Sequence, residues 1–217
     1  MKIENTQVFG FQAALRGMRN PLDSWDKSDS MICAYDNPLY PVSNNANEEY
    51  FILGDVDKDL SQRLTKAGTE HCKHLRMIQV WADFTLPRYI WCEFDTYRNL
   101  EKISCSTMHT LMKGSITSDM FEDGFNYLTE DQIDTMLAFI DDYSKTTDKA
   151  IKKNCKYVVK SLLPESFLQK RTINTNYATL LNIYKQRISH ELPQWHIICD
   201  WIKEFPYFVE LTGIESK

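Results

Sequence analysis

A polar segment that combines one arginine with two serines is the first candidate for chemistry in this sequence. The stretch DTYRNLEKISCS, residues 95–106, contains Arg98, Ser104 and Ser106. Lys160 and Arg187 are two further cations, and all three lie near the ends of separate predicted helices. Guanidinium and ammonium groups at such positions bind phosphate oxygens. The alternative is that the three cations are scattered surface charges.

Other kinds of chemistry have weaker support. The seven glycines form neither a GxGxxG nor a GxxxxGK[ST] loop, so a nucleotide site must use side chains and helix ends. His71 and His74 are three residues apart but have no third ligand at a known metal spacing, so we predict no metal. Ser104 and Ser106 stand in no GxSxG or SxxK pattern, which makes a serine hydrolase a weak interpretation.

Composition narrows the class of protein. The chain has 217 residues, 43% hydrophobic and 25% charged, as expected of one globular domain spanning residues 1–217. A net charge of -5 disfavours non-specific binding to nucleic acid. Six scattered cysteines without a CxxC pair favour reduced thiols, and no apolar run reaches the length of a membrane span. The sequence therefore predicts a cytoplasmic protein without a membrane segment.

Hydrophobic periodicity predicts the elements that must position these residues. Residues 75–86 alternate with the period of a strand, and residues 171–175 form a second, shorter one. Helices are predicted near residues 11–17, 57–67, 88–98, 130–141, 148–163, 176–189 and 193–205. Apart from the helix near residues 11–17, residues 1–50 are predicted to be rich in loops, including the stretch PVSNNANEEY. Tryptophans at helical spacing are first expected in the core: Trp81, Trp91, Trp195 and Trp201. Together, these predicted elements indicate an α+β domain with more helix than strand.

Two blocks of spaced residues resemble the flavin-dependent thymidylate synthases. In the first, Pro87 stands eleven residues before Arg98 and Ser106 eight residues after it. The second block contains, in order, Leu163-Pro164, Asn176, Asn182, Arg187, His190 and Gln194-Trp195. The intervals agree with the family up to Arg187, after which about one residue is inserted. The resemblance covers roughly residues 57–205.

The resemblance implies a fold, a cofactor and a set of site residues. The family fold is an α+β domain, with helices packed on a small antiparallel or mixed sheet, which assembles as a homotetramer. FAD and dUMP bind between its subunits. Carried over by position, the implied contacts with a pyrimidine nucleotide are Glu93, Arg98, Ser104, Ser106, Lys160 and Arg187. Ser106 and Arg187 are the catalytic candidates among them. The implied contacts with FAD are His74, Asn176, Asn182 and His190.

Several positions depart from the family pattern. Thr96 and Tyr97 replace an arginine and a histidine, Met108 replaces a nucleotide-binding arginine, and Ala178 replaces an arginine that contacts FAD. Each lost charge-assisted bond weakens binding by roughly 1.5 to 3 kcal/mol. The chain is therefore identified as a divergent, phage-type member of the family.

Two functions from different classes follow from this pattern. The first is an enzyme that carries out reductive methylation or related chemistry on a dUMP-like nucleotide. If active, it would use NADPH and methylene-tetrahydrofolate. The second is a catalytically degenerate homologue that acts by binding a nucleotide or a protein partner.

Overall fold

The computed structural model of the chain describes residues 1–33 and 50–214. Most of the predicted loop PVSNNANEEY lies outside the described residues, and only its last residue, Tyr50, belongs to a described strand. The strands are β1 (Lys2–Phe9), β2 (Met31–Cys33), β3 (Tyr50–Ile52), β4 (Gln79–Pro87), β5 (Glu101–Ser104) and β6 (Leu168–Asn176). The helices are α1 (Phe11–Arg19), α2 (Asp55–Ala67), α3 (Arg88–Phe94), α4 (Thr107–Thr110), α5 (Glu130–Lys145), α6 (Lys149–Leu162), α7 (Tyr177–Arg187), α8 (Pro193–Lys203) and α9 (Phe208–Thr212).

Four of the strands form one sheet in the order β1-β4-β6-β5, and β2 pairs antiparallel with β3. Strand β4 alternates between buried and half-buried residues, which confirms the period-two prediction. It begins later than predicted, because Lys73–Arg76 form a short 3-10 turn. The sequence predicted none of the strands β1, β2, β3 and β5. Of these, β1 and β5 are the outer strands of the four-stranded sheet. Both are mostly exposed and polar, so they lack the apolar alternation that marks an inner strand.

Local capping signals place several helix ends. Thr129 and Gln132 form a capping box at the start of α5. The Asp148 carboxylate accepts hydrogen bonds from the first backbone N–H groups of α6. Gly68 caps the C-terminal end of α2 with a φ of 122°, a backbone conformation that glycine adopts without strain but other residues do not. These helices confirm the predicted ones to within a few residues, whereas α4 and α9 were not predicted.

By contact density the described chain divides into two compact units. One comprises Met1–Glu4, Asp83–Thr96 and Lys102–Thr172. The other comprises Asn5–Ala82, Tyr97–Glu101 and the described part of Ile173–Lys217. We call them the α5–α6 unit and the aromatic unit, after their cores. The single domain predicted for residues 1–217 stays a prediction.

The core of the α5–α6 unit lies between its two long helices. Met136 and Ile140 of α5 and Cys155 and Val159 of α6 are buried together. Burying one such side chain contributes roughly 1.5 to 3 kcal/mol. The apolar faces of these two helices therefore decide their packing.

The core of the aromatic unit is a cluster of rings. Phe11 of α1 stacks on Phe51 of β3 with ring centroids 5.4 Å apart, and Tyr177 of α7 meets Phe208 of α9 at 5.1 Å. Gly10 precedes α1 with a φ of 104°, and a Cβ there would lie 2.5 Å from the backbone oxygen of Met77. The chain can enter this core only with glycine at that position.

Within residues 1–33 and 50–214, no helix is both long and apolar enough to cross a bilayer. In the same ranges, no group of three or more His, Cys, Asp or Glu side chains is placed to hold a metal ion. All six cysteines lie within these ranges and form no disulfide.

Candidate functional site

The arginine that the sequence places at the end of α7 is held by two aromatic rings. Arg187 Nε donates a hydrogen bond to the phenol oxygen of Tyr97 at 2.7 Å. The guanidinium carbon lies 4.5 Å from the ring centroid of Trp195 and 5.7 Å from that of Tyr97. Cation–π contacts of this kind contribute about 0.5 to 2 kcal/mol. We call Tyr97, Arg187, His190 and Trp195 the arginine clamp.

Local structure explains why Arg187 lies in this place. The Asn176 side chain accepts a hydrogen bond from the Thr179 N–H at 3.0 Å and so begins α7. The helix ends at Arg187, where a cation is favoured by the partial negative charge of the helix terminus. Trp195 lies on the first turn of α8 and is fully buried, which fixes the ring under the guanidinium.

Tyr97 reaches the clamp because the chain turns sharply after α3. Thr96 Oγ1 donates a hydrogen bond to the Glu93 carbonyl at 2.7 Å, which closes the last turn of the helix. Asn99 then has a left-handed φ of 57°, and its carbonyl accepts a hydrogen bond from Thr175 Oγ1 at 3.0 Å. The segment that carries Tyr97 is thereby held at the end of β6.

His190 contributes a ring with a defined tautomer to the clamp. Its Nδ1 accepts a hydrogen bond from the Leu192 N–H at 3.2 Å, so a neutral imidazole carries its proton on Nε2. The ring meets Trp195 edge-on at a centroid distance of 6.2 Å. His190 is half-buried, as is Arg187. Both side chains carry N–H donors, and groups of this kind bind phosphate and carbonyl oxygens.

Arg98 lies outside any helix, contrary to the prediction that three cations lie on three helices. It is exposed in the bend between α3 and β5, because α3 ends four residues earlier, at Phe94. The other two cations are where they were predicted. Lys160 is exposed on the last turn of α6, and Arg187 ends α7. In the aromatic unit, Arg98 follows directly after Tyr97 of the clamp.

The α5–α6 unit holds the remaining residues predicted to contact a nucleotide. Ser104 ends β5 and Ser106 precedes α4, and both side chains are exposed. The segment is held in place by the Cys105 N–H, which donates to the Lys170 carbonyl at 2.9 Å. Glu93 is half-buried on α3. The predicted nucleotide residues are therefore divided between the two units, with Arg98 and Arg187 in one and Glu93, Ser104, Ser106 and Lys160 in the other.

A cation–π contact also anchors α3 within the α5–α6 unit. The Arg171 guanidinium lies 4.4 Å from the Trp91 ring centroid, and its Nη1 donates to Asp95 Oδ1 at 3.1 Å. Trp91 Nε1 donates to the Gln169 carbonyl at 2.8 Å. Trp91 and Trp195 are fully buried and confirm the prediction that tryptophans lie in the core, whereas Trp81 and Trp201 are half-buried.

The residues predicted to contact FAD differ in their exposure. Asn182 is exposed on α7, and its Oδ1 accepts a hydrogen bond from Gln186 Nε2 at 3.0 Å. Asn176 is buried, with its side chain oxygen used as the cap of α7. His74 is 3% exposed in the aromatic unit. A direct ligand contact by Asn176 or His74 requires these buried groups to become accessible, and for both the contact stays a prediction.

His74 has a packing role that the sequence did not predict. Ser61 Oγ donates to the Leu211 carbonyl at 2.7 Å, so its contact of 2.7 Å with His74 Nε2 requires the imidazole to donate the proton. Burial lowers the pKa of His74 to about 4, which keeps the ring neutral at neutral pH. Ser61 of α2 thus bonds both the imidazole of His74 and the backbone of α9.

The four positions that depart from the family pattern differ in their surroundings. Tyr97 is buried in the clamp, and Thr96 is bonded to its own helix. Met108 is exposed on α4, and Ala178 is half-buried at the start of α7. From the sequence alone, Tyr97 is interpreted only as the replacement of a histidine. The signal that this interpretation misses is that a phenol oxygen can accept a hydrogen bond from an arginine as well as an imidazole nitrogen can.

The Cys199 thiol is not activated for nucleophilic attack. Burial raises the pKa of the Cys199 thiol to about 11, so this thiol stays protonated at neutral pH. Cys92 and Cys105 are exposed. The chemistry that the clamp can support is therefore binding and polarisation by N–H donors.

Comparisons with known proteins give one class of match. No protein-family model matches the sequence, and no curated protein sequence is similar to it. The fold is similar to solved structures of the flavin-dependent thymidylate synthase ThyX from Helicobacter pylori complexed with FAD and dUMP. One has a TM-score of 0.65 and 16% sequence identity, covering 98% of this chain and 97% of that chain. A second has a TM-score of 0.61 and 15% identity with the same coverage. The chain therefore has a ThyX-like α+β fold, which confirms the predicted fold class.

Proposed function

We propose that the protein binds a pyrimidine deoxynucleotide of the dUMP type, with the arginine clamp as one part of the site. The observation that carries the proposal is the Arg187 guanidinium, which is fixed by Tyr97 Oη and by the Trp195 ring. A guanidinium that is already ordered loses less side-chain entropy when a ligand binds. The ThyX structures of similar fold are complexes with dUMP, which supports this ligand class.

The roles proposed for single residues follow from their exposure and chemistry. Arg187 binds or polarises an anionic or carbonyl oxygen of the nucleotide, and Arg98, exposed beside Tyr97, provides a second cation. Ser104 and Ser106 are exposed hydroxyl donors, and Lys160 is an exposed cation for a phosphate. Glu93 is proposed to accept a hydrogen bond from the base. Lysine keeps the positive charge that the family has at position 160 but not the bidentate fork.

FAD is the proposed cofactor, and the residues present fit it in part. Asn182 and His190 carry an amide and an imidazole, and N–H donors of these kinds suit the phosphate and carbonyl oxygens of a flavin nucleotide. Asn176 and His74 are buried and do not fit direct contact in this conformation. When bound, FAD supplies the redox chemistry. The residues of this chain would hold it, orient it and place positive charge near the pyrimidine.

Reductive methylation of the nucleotide is the reaction proposed for an active enzyme. Its further substrates would be NADPH and methylene-tetrahydrofolate, and the assembly would be a cytoplasmic homotetramer. A catalytically degenerate, phage-type homologue that binds the nucleotide without turnover is the second candidate. One observation favours it: Thr96, Tyr97 and Met108 place no cation where the family pattern has two arginines and a histidine.

The experiment that tests binding is calorimetric titration of the purified protein with dUMP, together with its absorption spectrum. We expect the flavin bands near 370 and 450 nm, roughly as in other flavoproteins, and saturable dUMP binding. Arg187→Gln should weaken dUMP binding at least about tenfold, as expected for the loss of a charge-assisted pair. Lys185→Gln is the matched control, because Lys185 is an exposed cation on the same last turn of α7.

Two outcomes would contradict the proposal. One is a colourless protein whose melting temperature does not rise with FAD or with dUMP. The other is equal dUMP affinity in the Arg187→Gln and Lys185→Gln variants. Formation of thymidylate from dUMP, methylene-tetrahydrofolate and NADPH would select the enzyme over the degenerate homologue.

A further inference from the structure

A cavity of about 320 Å³ in the aromatic unit lies where α1 ends and α2 runs past it. Its polar walls are formed by Arg19 and Ser24, together with Lys27 and Arg63. None of these residues belongs to the arginine clamp or to the predicted nucleotide and flavin contacts. The cavity is therefore a separate candidate site.

Two buried polar atoms of the cavity residues have no hydrogen-bond partner in the described parts of the chain. The Arg19 side chain is only 3% exposed. Its Nε donates to Asp57 Oδ1 at 2.6 Å, and its Nη1 donates to the Ser24 carbonyl at 3.2 Å. Its Nη2 and the Oγ of Ser24 are left without a partner. Because an unsatisfied buried donor is unfavourable, a ligand that accepts from both atoms would stabilise the folded protein.

The charges of the cavity favour a ligand with one negative charge. Arg19 is neutralised by Asp57, and Arg63 forms an ion pair with Asp59 at 2.9 Å. Lys27 forms no ion pair with the residues that the structure describes, and it is exposed. The cavity therefore has about one positive charge in excess, which suits a carboxylate better than a phosphate dianion.

Apolar residues complete the walls and select the rest of the ligand. Leu22, Val56 and Leu60 line the cavity, and the first two are large exposed hydrophobic side chains. Covering such surface contributes about 25 cal/mol for each Å² removed from water. We propose that this cavity binds a small monocarboxylate with an apolar body. The carboxylate accepts hydrogen bonds from Arg19 Nη2 and Ser24 Oγ, and the body packs against the three apolar side chains.

Benzoate is the probe for this site, and benzyl alcohol is its uncharged counterpart. Titrations followed by protein NMR at constant ionic strength should show saturable benzoate binding and at least about tenfold weaker binding of benzyl alcohol. Ser24→Ala should weaken benzoate binding about three- to tenfold, as expected for one lost hydrogen bond to a charged group. Ser144→Ala is the matched control, because Ser144 is exposed and does not line the cavity.

A second pair of variants tests whether the positive charge of Lys27 contributes to benzoate binding. Lys27→Ala should weaken benzoate binding about two- to fivefold, less at high salt, whereas Lys66→Ala should leave it unchanged. Lys66 is an exposed cation of α2 that does not line the cavity. Arg19 itself is left intact, because its removal would leave Asp57 buried without a partner.

Three results would overturn the inference. They are equal binding of benzoate and benzyl alcohol, undiminished benzoate binding by Ser24→Ala, and tighter binding of inorganic phosphate than of benzoate. Binding of dUMP by the Ser24→Ala variant should equal that of the parent protein. Failure of this inference is thus distinguishable from failure of the proposed nucleotide site.

Discussion

The phenol oxygen of Tyr97 and Nε of Arg187 lie 2.7 Å apart, although the two residues are separated by 90 positions in sequence. The bond connects the turn after α3 with the end of α7 inside the aromatic unit. Tyr97 stands where the resembled family has a histidine, so the substitution replaces one hydrogen-bonding ring by another and does not leave an empty position. The first prediction follows from this contact.

Tyr97→Phe should weaken dUMP binding about three- to tenfold, because the Arg187 guanidinium loses the acceptor that fixes it. The ring and its packing against Trp195 remain, so the free energy of unfolding should fall by only about 1 kcal/mol. Calorimetry with dUMP and urea unfolding measure the two effects. Tyr127→Phe removes a hydroxyl from an exposed tyrosine and should change neither. Unaltered dUMP affinity in Tyr97→Phe would show that the clamp does not order Arg187 for this ligand.

Met108→Arg should strengthen dUMP binding about tenfold, since it restores a cation where the family pattern has a nucleotide-binding arginine. Met108 is 43% exposed, so the longer side chain is accommodated without loss of packing. The gain should shrink as salt concentration rises. Met77→Arg adds the same charge at a position that is 47% exposed and serves as the control. Equal affinities of the two variants would mean that position 108 does not face the nucleotide.

His74 should make stability depend on pH between about 4 and 6.5. The unfolded imidazole takes up a proton near pH 6.5, whereas burial holds the pKa in the folded protein at about 4. Stability is therefore greatest above pH 6.5 and decreases as the pH falls, by roughly 2 kcal/mol at pH 5. Urea unfolding of the parent protein and of His74→Gln at pH 7.5 and 5 measures the difference.

His71→Gln is the control for this experiment, because His71 is exposed three residues away. The His74→Gln variant should be less stable than the parent at pH 7.5 but lose less stability on acidification. An identical pH dependence in the parent and in His74→Gln would refute the assignment.

The buried ion pair of Arg19 and Asp57 should be strongly required for folding. Asp57→Asn leaves a buried guanidinium without its counter-charge and should destabilise the protein by roughly 3 to 5 kcal/mol. Asp59→Asn breaks the exposed pair with Arg63 on the same helix and should cost less than about 1 kcal/mol. Urea unfolding at neutral pH measures the free energy of unfolding of both variants. A similar decrease of this free energy in the two variants would contradict the expectation.

The pKa of Asp57 adds a pH test of the same pair. Burial alone raises that pKa, but hydrogen bonds from Ser30, Ser28 and Arg19 outweigh it and place the pKa below its usual value. The ionised carboxylate thus contributes stability above the unfolded pKa of about 3.8, and this stability is lost as the pH falls through the folded pKa. Acid unfolding of the parent below pH 4 should therefore be steeper than that of Asp57→Asn.

The sequence by itself determined the elements whose signals are local. The alternation in β4, the capping box of Thr129 and Gln132, and the ends of α2 and α6 depend on residues within one or two turns of each other. The order of the two spaced blocks likewise predicted the fold class that the structure has. These features could be predicted from the sequence because interactions between neighbouring side chains and backbone groups determine them.

Only the tertiary structure decided the features that depend on distant parts of the chain. The polar strands β1 and β5 are strands because the sheet gives them hydrogen-bond partners, and their own sequences contain no apolar alternation. The sequence marks His74 only as a polar residue, and the structure shows its imidazole bonded to Ser61, which also donates to Leu211 of α9. The sequence marks Tyr97 only as a replaced histidine, and the structure shows its hydroxyl accepting a hydrogen bond from Arg187. Burial and long-range hydrogen bonds arise from packing, and packing is set by residues far apart in sequence.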